Sequence, residues 1–236
     1  MPELSKKTPT AAGAGDAPRL ESDLLERVLD RLGFSRAPKA TLEGLTAVYG
    51  AWCQRVPFDN VRKIIHIASG APTPLPGTTA SDFFKAWLKF GVGGTCWSGA
   101  GACYALLASL GFNASRGIAT MLAAPDLPPN HGTVLVSFGP EKYLVDSAML
   151  HGVPLRLEDV GETIIDHPAW GLRVLHRGGQ TYISWRPLHK LDGFECRLER
   201  FGAARQEYEA LYNRTRPWSP FNFELSFRIN RGEDVI

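Results

Sequence analysis

Apolar positions recur at helical spacing through the first half of the chain and alternate through much of the second. Leu24, Leu25, Val28, Leu29 and Leu32 form one stripe, which predicts an amphipathic helix over 21–32 that Gly33 stops. Thr41 is placed to cap a second helix with Leu45, Val48 and Trp52 inward, ending before Pro57. The β-branched run 64–67 reads as a short strand or extended segment, and 72–76 as a proline-rich loop. Ser81 then caps a third helix carrying Phe83, Phe84, Trp87 and Leu88, which ends at Gly91. After a glycine-rich approach, Ala100, Cys103, Leu107 and Leu110 fall on one face of a further helix, with Gly111 as its stop signal.

The period changes beyond this point. Residues 116–121 are strand-like, and a loop over 123–130 leads to 131–138, where Val134, Val136 and Phe138 alternate. Gly139, Pro140 and Glu141 mark a turn, and 142–146 is the return strand. An extended stretch over 153–155 follows; 171–176 and 181–186 then flank a second hairpin turn, and 194–201 is another strand. Residues 206–213 read as helix and 223–229 as a closing strand. Helices first and strands afterwards predict an α+β chain: a tail over 1–18, a helical bundle over 19–115 and a β-barrel-like part over 116–236. The tail is rich in Ala, Gly, Pro and Thr, lacks the apolar core of a secretory signal and reads as disordered.

Composition narrows the function classes. The 236 residues carry 26 Lys and Arg against 24 Asp and Glu, with no basic block, which gives nucleic-acid binding no support. No apolar run approaches membrane-spanning length, so no membrane association is expected. The 4 cysteines (Cys53, Cys96, Cys103, Cys196) are scattered without metal-ligand spacing, so no metal site is expected. Their low number suits a reducing, cytoplasmic setting.

Chemistry concentrates around Cys96. Glycines crowd its approach, and the predicted helix places it in the first turn. Unpaired N–H groups and the helix dipole favour thiolate there. Gly93 and Gly94 are read as leaving room for a substrate at the sulfur. A thiolate needs a base, and His131 and Asp146 supply a base and its orienter across the first hairpin. Paired residues of an antiparallel hairpin have a constant sum. A turn of Gly139 and Pro140 gives 279 and sets Asp146 opposite Thr133; a loop over 137–140 gives 277 and sets it opposite His131. Both alternatives put the two side chains on one face, directly opposite or diagonal. A carboxylate that orients an imidazole, which in turn deprotonates a cysteine, is the arrangement this predicts.

The order and spacing of Cys96, His131 and Asp146, with intervals of 35 and 15 residues, resemble the arylamine N-acetyltransferases. Val56-Pro57-Phe58-Asp59-Asn60 is similar to that family's I-P-F-E-N segment, Gly93-Gly94-Thr95-Cys96 to its G-G-x-C and Tyr143-Leu144-Val145-Asp146 to its W-L-V-D. Residues 217–221 also resemble a family segment, so the likeness runs over roughly 21–227. The chain departs from R-G-G-x-C-F-E by carrying Val92 for Arg, Trp97 for Phe and Ser98 for Glu, an ion pair exchanged jointly rather than singly.

The resemblance implies a helical bundle followed by an antiparallel β-barrel, a cysteine-protease-like site between them, and a third, lid-forming segment that is short or absent. It also implies acyl transfer from a thioester, acetyl-CoA or similar, to an amine through a Cys96 acyl-enzyme. No permanently bound cofactor is needed, and the partners are a small-molecule donor and an amine acceptor. Gly94, Thr95 and Trp97 form the expected oxyanion and substrate loop, and Phe58 and Asp59 are candidate substrate contacts. Coenzyme A calls for basic residues, and no phosphate-binding glycine motif with a lysine is visible. A non-CoA thioester donor is therefore the alternative. A transglutaminase-like thiol hydrolase and a non-catalytic binding relative are the rivals from other classes. Cys53, Cys103 and Cys196 read as small buried hydrophobes, and His66, His151, His167, His176 and His189 as ordinary histidines.

Overall fold

The computed structural model describes residues 19–123, 127–157, 163–167, 170–186, 192–232 and 234–235. The expected tail over 1–18, part of the loop over 123–130, His189 and the His167 side chain lie outside them.

Helix α1 (Ser22–Arg31) buries Leu24, Val28 and Leu29. Helix α2 (Leu42–Arg55) opens with Thr41, whose hydroxyl accepts from the Gly44 N–H. Residues Phe58–Asp59 form the short strand β1. The run expected as a strand over 64–67 is instead part of helix α3 (Val61–Ala68). Asp59 Oδ1 accepts from the Val61 N–H at the start of α3, and Ile65 faces solvent. The end-capping group and one-sided burial of this segment override its β-branched propensity. Helix α4 (Ala80–Phe90) starts two residues earlier than Ser81 suggests, because Thr79 accepts from the Asp82 N–H while Asp82 itself accepts from Gly77. Gly91 closes α4 at φ 73°.

Helix α5 (Cys96–Ser109) is buried on every side from Cys96 to Ala100 and from Ala102 to Leu107. The single apolar face expected of it understates this; small residues all around let it serve as the central rod of the molecule. The strands then follow: β2 (Ala114–Met121), β3 (His131–Phe138), β4 (Glu141–Val145), β5 (Leu155–Leu157), β6 (Thr163–His167), β7 (Trp170–Arg177), β8 (Gln180–Arg186) and β9 (Phe194–Phe201). They form one antiparallel sheet in the order β5-β4-β3-β2-β9-β8-β7-β6. Its end strands β5 and β6 approach each other, so the sheet curls into a nearly closed barrel. Strand β6 is a member that the alternation did not single out.

Two cores result. Ile118, Val134, Val136, Tyr143 and Val145 face the helices and pack on α5. Ala119, Leu144, Leu155, Val174, Ile183 and Leu198 face the barrel interior. Helix α6 (Arg205–Arg214) follows and buries Tyr208 and Tyr212. The closing strand expected over 223–229 is only β10 (Phe227–Arg228), paired with β1. Before it, Asn60 holds the chain in irregular form: its Nδ2 donates to the Phe221 and Glu224 carbonyls, and its Oδ1 accepts from the Ser226 N–H. That clamp draws the C-terminal segment against the helices.

Candidate functional site

The β3–β4 hairpin pairs Phe138 with Glu141 and Val134 with Val145, a constant sum of 279. Of the two registers considered, the turn of Gly139 and Pro140 is the one formed. Gly139 has φ 60°, which a glycine tolerates at the first turn position. Asp146 therefore sits just past the ladder, diagonal to His131, and its Oδ2 lies 2.7 Å from His131 Nε2. Asp146 Oδ1 accepts from the Ala148 and Met149 N–H groups at 2.9 and 2.8 Å. Asp146 is wholly buried and His131 only 2% exposed. The other ring nitrogen of His131 is left for Cys96, which lines the same cavity. Cys96 Sγ also lies 3.8 Å from the Asn130 carbonyl, and Asn130 in turn clamps the end of β2 through the Met121 N–H and carbonyl.

Electrostatics separates Cys96 from the other cysteines. Burial resists its ionisation, but the hydrogen bond and charge of His131, with the Gly132 N–H, outweigh that and lower its pKa. Burial pushes Cys53 up to about 12 and raises Cys103 and Cys196 as well. His131 is raised: burial opposes its charged form, and Asp146 and Cys96 more than compensate. Asp146 is held well below the usual carboxylate range, because His131 and the two backbone N–H groups overcome its burial. A lowered thiol and a raised imidazole both shift toward the charged forms, thiolate and imidazolium. All 4 cysteines are free thiols.

Cys96 opens α5, and Thr95, its N-cap, makes no side-chain cap hydrogen bond. The first free intrahelical bond, Gly99 N–H to the Thr95 carbonyl, leaves the Cys96, Trp97 and Ser98 N–H groups without intrahelical acceptors. Cys96, Trp97, Thr95, His131 and Phe58 line one cavity of about 480 Å³. Its far wall comes from the segment after α6, including Thr215, Trp218 and Phe221.

Two expected site residues fall elsewhere. Asp59 is 1% exposed and outside this cavity; its carboxylate is spent on the Gly93 and Val61 N–H groups beneath the loop. Gly94 also lies outside it. The reading of Gly93 and Gly94 as space for substrate is corrected by what surrounds them. A Cβ at Gly93 would stand 1.8 Å from the Pro57 carbonyl oxygen, and one at Gly94 2.3 Å from Ser98 Oγ. These glycines let the loop press against protein. Gly99 likewise lets α5 approach Ser147, where a Cβ would stand 2.7 Å from its Oγ. Ser98 is buried and donates to the Thr95 carbonyl, so the uncharged Val92 and Ser98 leave no stranded charge beside the nucleophile.

Sequence reasoning missed Tyr49, Lys63 and Arg228. Tyr49 Oη donates to the Asp146 carbonyl at 2.8 Å and accepts from the Asp146 and His151 N–H groups, both at 3.2 Å. It stands on the inward stripe of α2, where a phenol amid Leu45, Val48 and Trp52 was the available signal. Lys63 and Arg228 both line the cavity. His151 is a buried core histidine; its Nδ1 lies 2.6 Å from the Val153 carbonyl, its Nε2 has no hydrogen-bond partner among the described residues, and burial lowers its pKa to about 4. Among the described residues no group of three or more His, Cys, Asp or Glu is placed to hold a metal, and no helix is long and apolar enough to cross a membrane.

Comparisons with known proteins agree with this architecture. Arylamine N-acetyltransferase from Salmonella typhimurium superposes with a TM-score of 0.74 at 19% identity, covering 90% of this chain and 77% of that one. The Mycobacterium marinum arylamine N-acetyltransferase in complex with CoA gives 0.72 at 22% identity, covering 89% and 79%. The Bacillus cereus arylamine N-acetyltransferase, described as having a unique Cys-His-Glu catalytic triad, gives 0.73 at 16% identity, covering 91% and 85%. No curated protein matches significantly by sequence. The family profile described as N-acetyltransferase matches residues 41–224, most of the chain, and the protein belongs to that N-acetyltransferase family of enzymes.

Proposed function

We propose that the enzyme transfers an acetyl or related acyl group from a thioester, acetyl-CoA first among them, to an arylamine-type acceptor by a ping-pong route. The observation that carries this is geometric: Cys96 opens α5 and lines one cavity with His131, which is anchored 2.7 Å from Asp146; the lowered pKa of Cys96, alone among the described cysteines, agrees with it. The bundle over 19–115 supplies the nucleophile and the part over 116–236 its base and orienter. In the first half-reaction the Cys96 thiolate adds to the thioester carbonyl. The C–S bond to the carrier breaks, and the departing carrier thiolate takes the proton held by His131. In the second, the amine adds to the Cys96 thioester and gives a proton to His131. The Cys96 thiolate leaves, and an amide is released. The Cys96 and Trp97 N–H groups, at the open start of α5, stabilise the oxyanion of both tetrahedral intermediates. Thr95 and Phe58 contribute cavity wall. Asp146 holds the imidazole in register and supports its charged form.

The test is intact mass after incubation with acetyl-CoA, for wild type and Cys96→Ala. A single acetyl adduct that is absent in the variant and discharged by an arylamine is expected. Stoichiometric alkylation of Cys96 without any acetyl adduct would discard acetyl-CoA and leave another thioester as donor. A Cys96 that neither acylates nor alkylates faster than a free thiol would overturn the catalytic reading.

A further inference from the structure

Two cations line the cavity of Cys96, and neither is salt-bridged to a carboxylate among the described residues. Lys63, on α3, is 3% exposed; its Nζ donates to Thr215 Oγ1 at 3.0 Å and lies 5.9 Å from the Tyr212 ring. That leaves ammonium protons unspent. Arg228, on β10, lies with its guanidinium carbon 4.9 Å from the Phe58 ring centroid and 4.7 Å from that of Trp185. Its ion-pairing fork has no carboxylate, and neither residue makes a salt bridge among the described residues. The β1–β10 pairing brings Arg228 beside the same segment that leads into Lys63.

Lys63 is buried and Arg228 half-buried; cations so placed are ordinarily paired, since an uncompensated charge is costly to keep out of water. Folding alone favours an apolar side chain at Lys63. Burial does lower the Lys63 pKa to about 8 and the Arg228 pKa to about 10, and the charge of Cys96 acts on both in the opposite direction. Both cations line the cavity that Cys96 lines. With a CoA thioester carbonyl at Cys96, the phosphates of the carrier lie a whole pantetheine arm away. The unmatched positive charge faces the acyl group or the amine.

We infer that Lys63 and Arg228 form an anion subsite that selects a carboxylate-bearing substrate, with the carboxylate on either the amine acceptor or the acyl group. This rests on the acyl-transfer reading above. A carboxylate there gains charge-assisted hydrogen bonds, and the flanking rings of Phe58 and Trp185 hold the guanidinium plane in place.

The test has two arms, each comparing a carboxylate with a neutral counterpart of similar shape. The acceptor arm uses acetyl-CoA with 4-aminobenzoate or 4-aminobenzamide. The donor arm uses succinyl-CoA or butyryl-CoA with 4-aminobenzamide. A preference in kcat/KM of about tenfold or more for the carboxylate in one arm is expected, and that arm identifies its source. Lys63→Met and Arg228→Met should each cut that ratio about tenfold. Lys63→Met should also unfold at a temperature no lower than wild type, which a structural lysine would not allow. Ratios within threefold in both arms, or variants that raise KM equally for neutral and carboxylate CoA donors, would overturn the subsite. If intact mass shows that no donor acylates Cys96, the acyl-transfer reading fails separately. The subsite is then judged by whether 4-aminobenzoate or succinate slows iodoacetamide labelling of Cys96 in wild type but not in Lys63→Met. Labelling that neither anion slows would overturn it.

Discussion

Asp146→Asn isolates the part of the site that geometry controls. Oδ1 of Asp146 accepts from the Ala148 and Met149 N–H groups, so an asparagine keeps its oxygen there and presents Nδ2 to His131. An amide N–H facing Nε2 makes that nitrogen an acceptor. The imidazole proton then moves to the nitrogen facing Cys96, where it cannot receive the thiol proton. The charge that raises His131 is lost at the same time, so burial acts on Cys96 with little to oppose it. In serine-protease triads the equivalent change lowers kcat by about 10⁴. A loss of about 10³–10⁴ here corresponds to roughly 4–5.5 kcal/mol of transition-state stabilisation at 1.36 kcal/mol per decade. Folding stability should fall far less. A charge-assisted hydrogen bond contributes about 1.5–3 kcal/mol, and removing a buried charge returns part of it. The assay is single-turnover acetylation of Cys96 by quenched-flow mass spectrometry, paired with a urea midpoint and an iodoacetamide rate–pH profile. Acetylation within tenfold of wild type, with an unshifted alkylation profile, would refute the proposed role of Asp146.

Three further predictions follow from the geometry. Tyr49→Phe strips a hydroxyl from the Asp146 carbonyl and the Asp146 and His151 N–H groups, so the urea midpoint should report a loss of about 2–4 kcal/mol, with an activity loss that tracks the displaced carboxylate. Gly93→Ala drives a Cβ into the Pro57 carbonyl, so thermal unfolding should fall steeply or the variant should be insoluble, whereas Gly91→Ala, which meets no atom within 4 Å, should cost only its positive-φ strain of about 1–2 kcal/mol. Iodoacetamide should label wild type once, at Cys96, with a rate midpoint below the free-thiol value of about 8.5; below that midpoint the rate falls with pH, and the His131→Gln variant should move the midpoint upward.

Asp146 and His131 make stability depend on pH in opposite senses. Asp146 is lowered on folding, so its contribution is complete above its unfolded value of about 3.9 and is lost as pH falls through the lower folded value. His131 is raised, so its contribution is complete below its unfolded value of about 6.5 and is lost as pH rises through the higher folded value. The urea-midpoint difference between wild type and Asp146→Asn should therefore shrink toward both extremes of pH.

Which features were legible in the chain follows from how local their causes are. The helix that opens at Cys96 and the hairpin that joins His131 to Asp146 are written in short-range signals: a glycine-rich approach, alternation, a turn glycine and a constant sum of paired positions. Both registers kept the two side chains on one face, so the orienting contact survived the ambiguity about the turn. The run over 64–67 misled because β-branched residues favour strands only where a pleated surface receives them. At α3 the decisive groups were the capping Asp59 carboxylate and the one-sided burial of Lys63 against Thr215. Gly93 and Gly94 misled for a related reason, since a glycine announces close approach without naming what approaches.

Lys63 and Arg228 show where reading a chain in order reaches its limit. Each looks like an ordinary surface charge in its own segment: Lys63 follows Arg62 on a polar-looking turn, and Arg228 lies near the end of the chain. Nothing in either local pattern brings them to one cavity. The connection is made by Asn60, which ties Phe221, Glu224 and Ser226 down, and by the pairing of Phe58 with Arg228 across strands separated by most of the sequence. The motif that carries the family resemblance thus has a second job here. Pro57 and Asp59 brace the nucleophile loop while Asn60 delivers the C-terminal segment. That division of labour lets the thiol machinery stay fixed while Lys63, just beyond the motif, and Arg228, brought beside it by the β1–β10 pairing, determine the charge of what the cavity accepts.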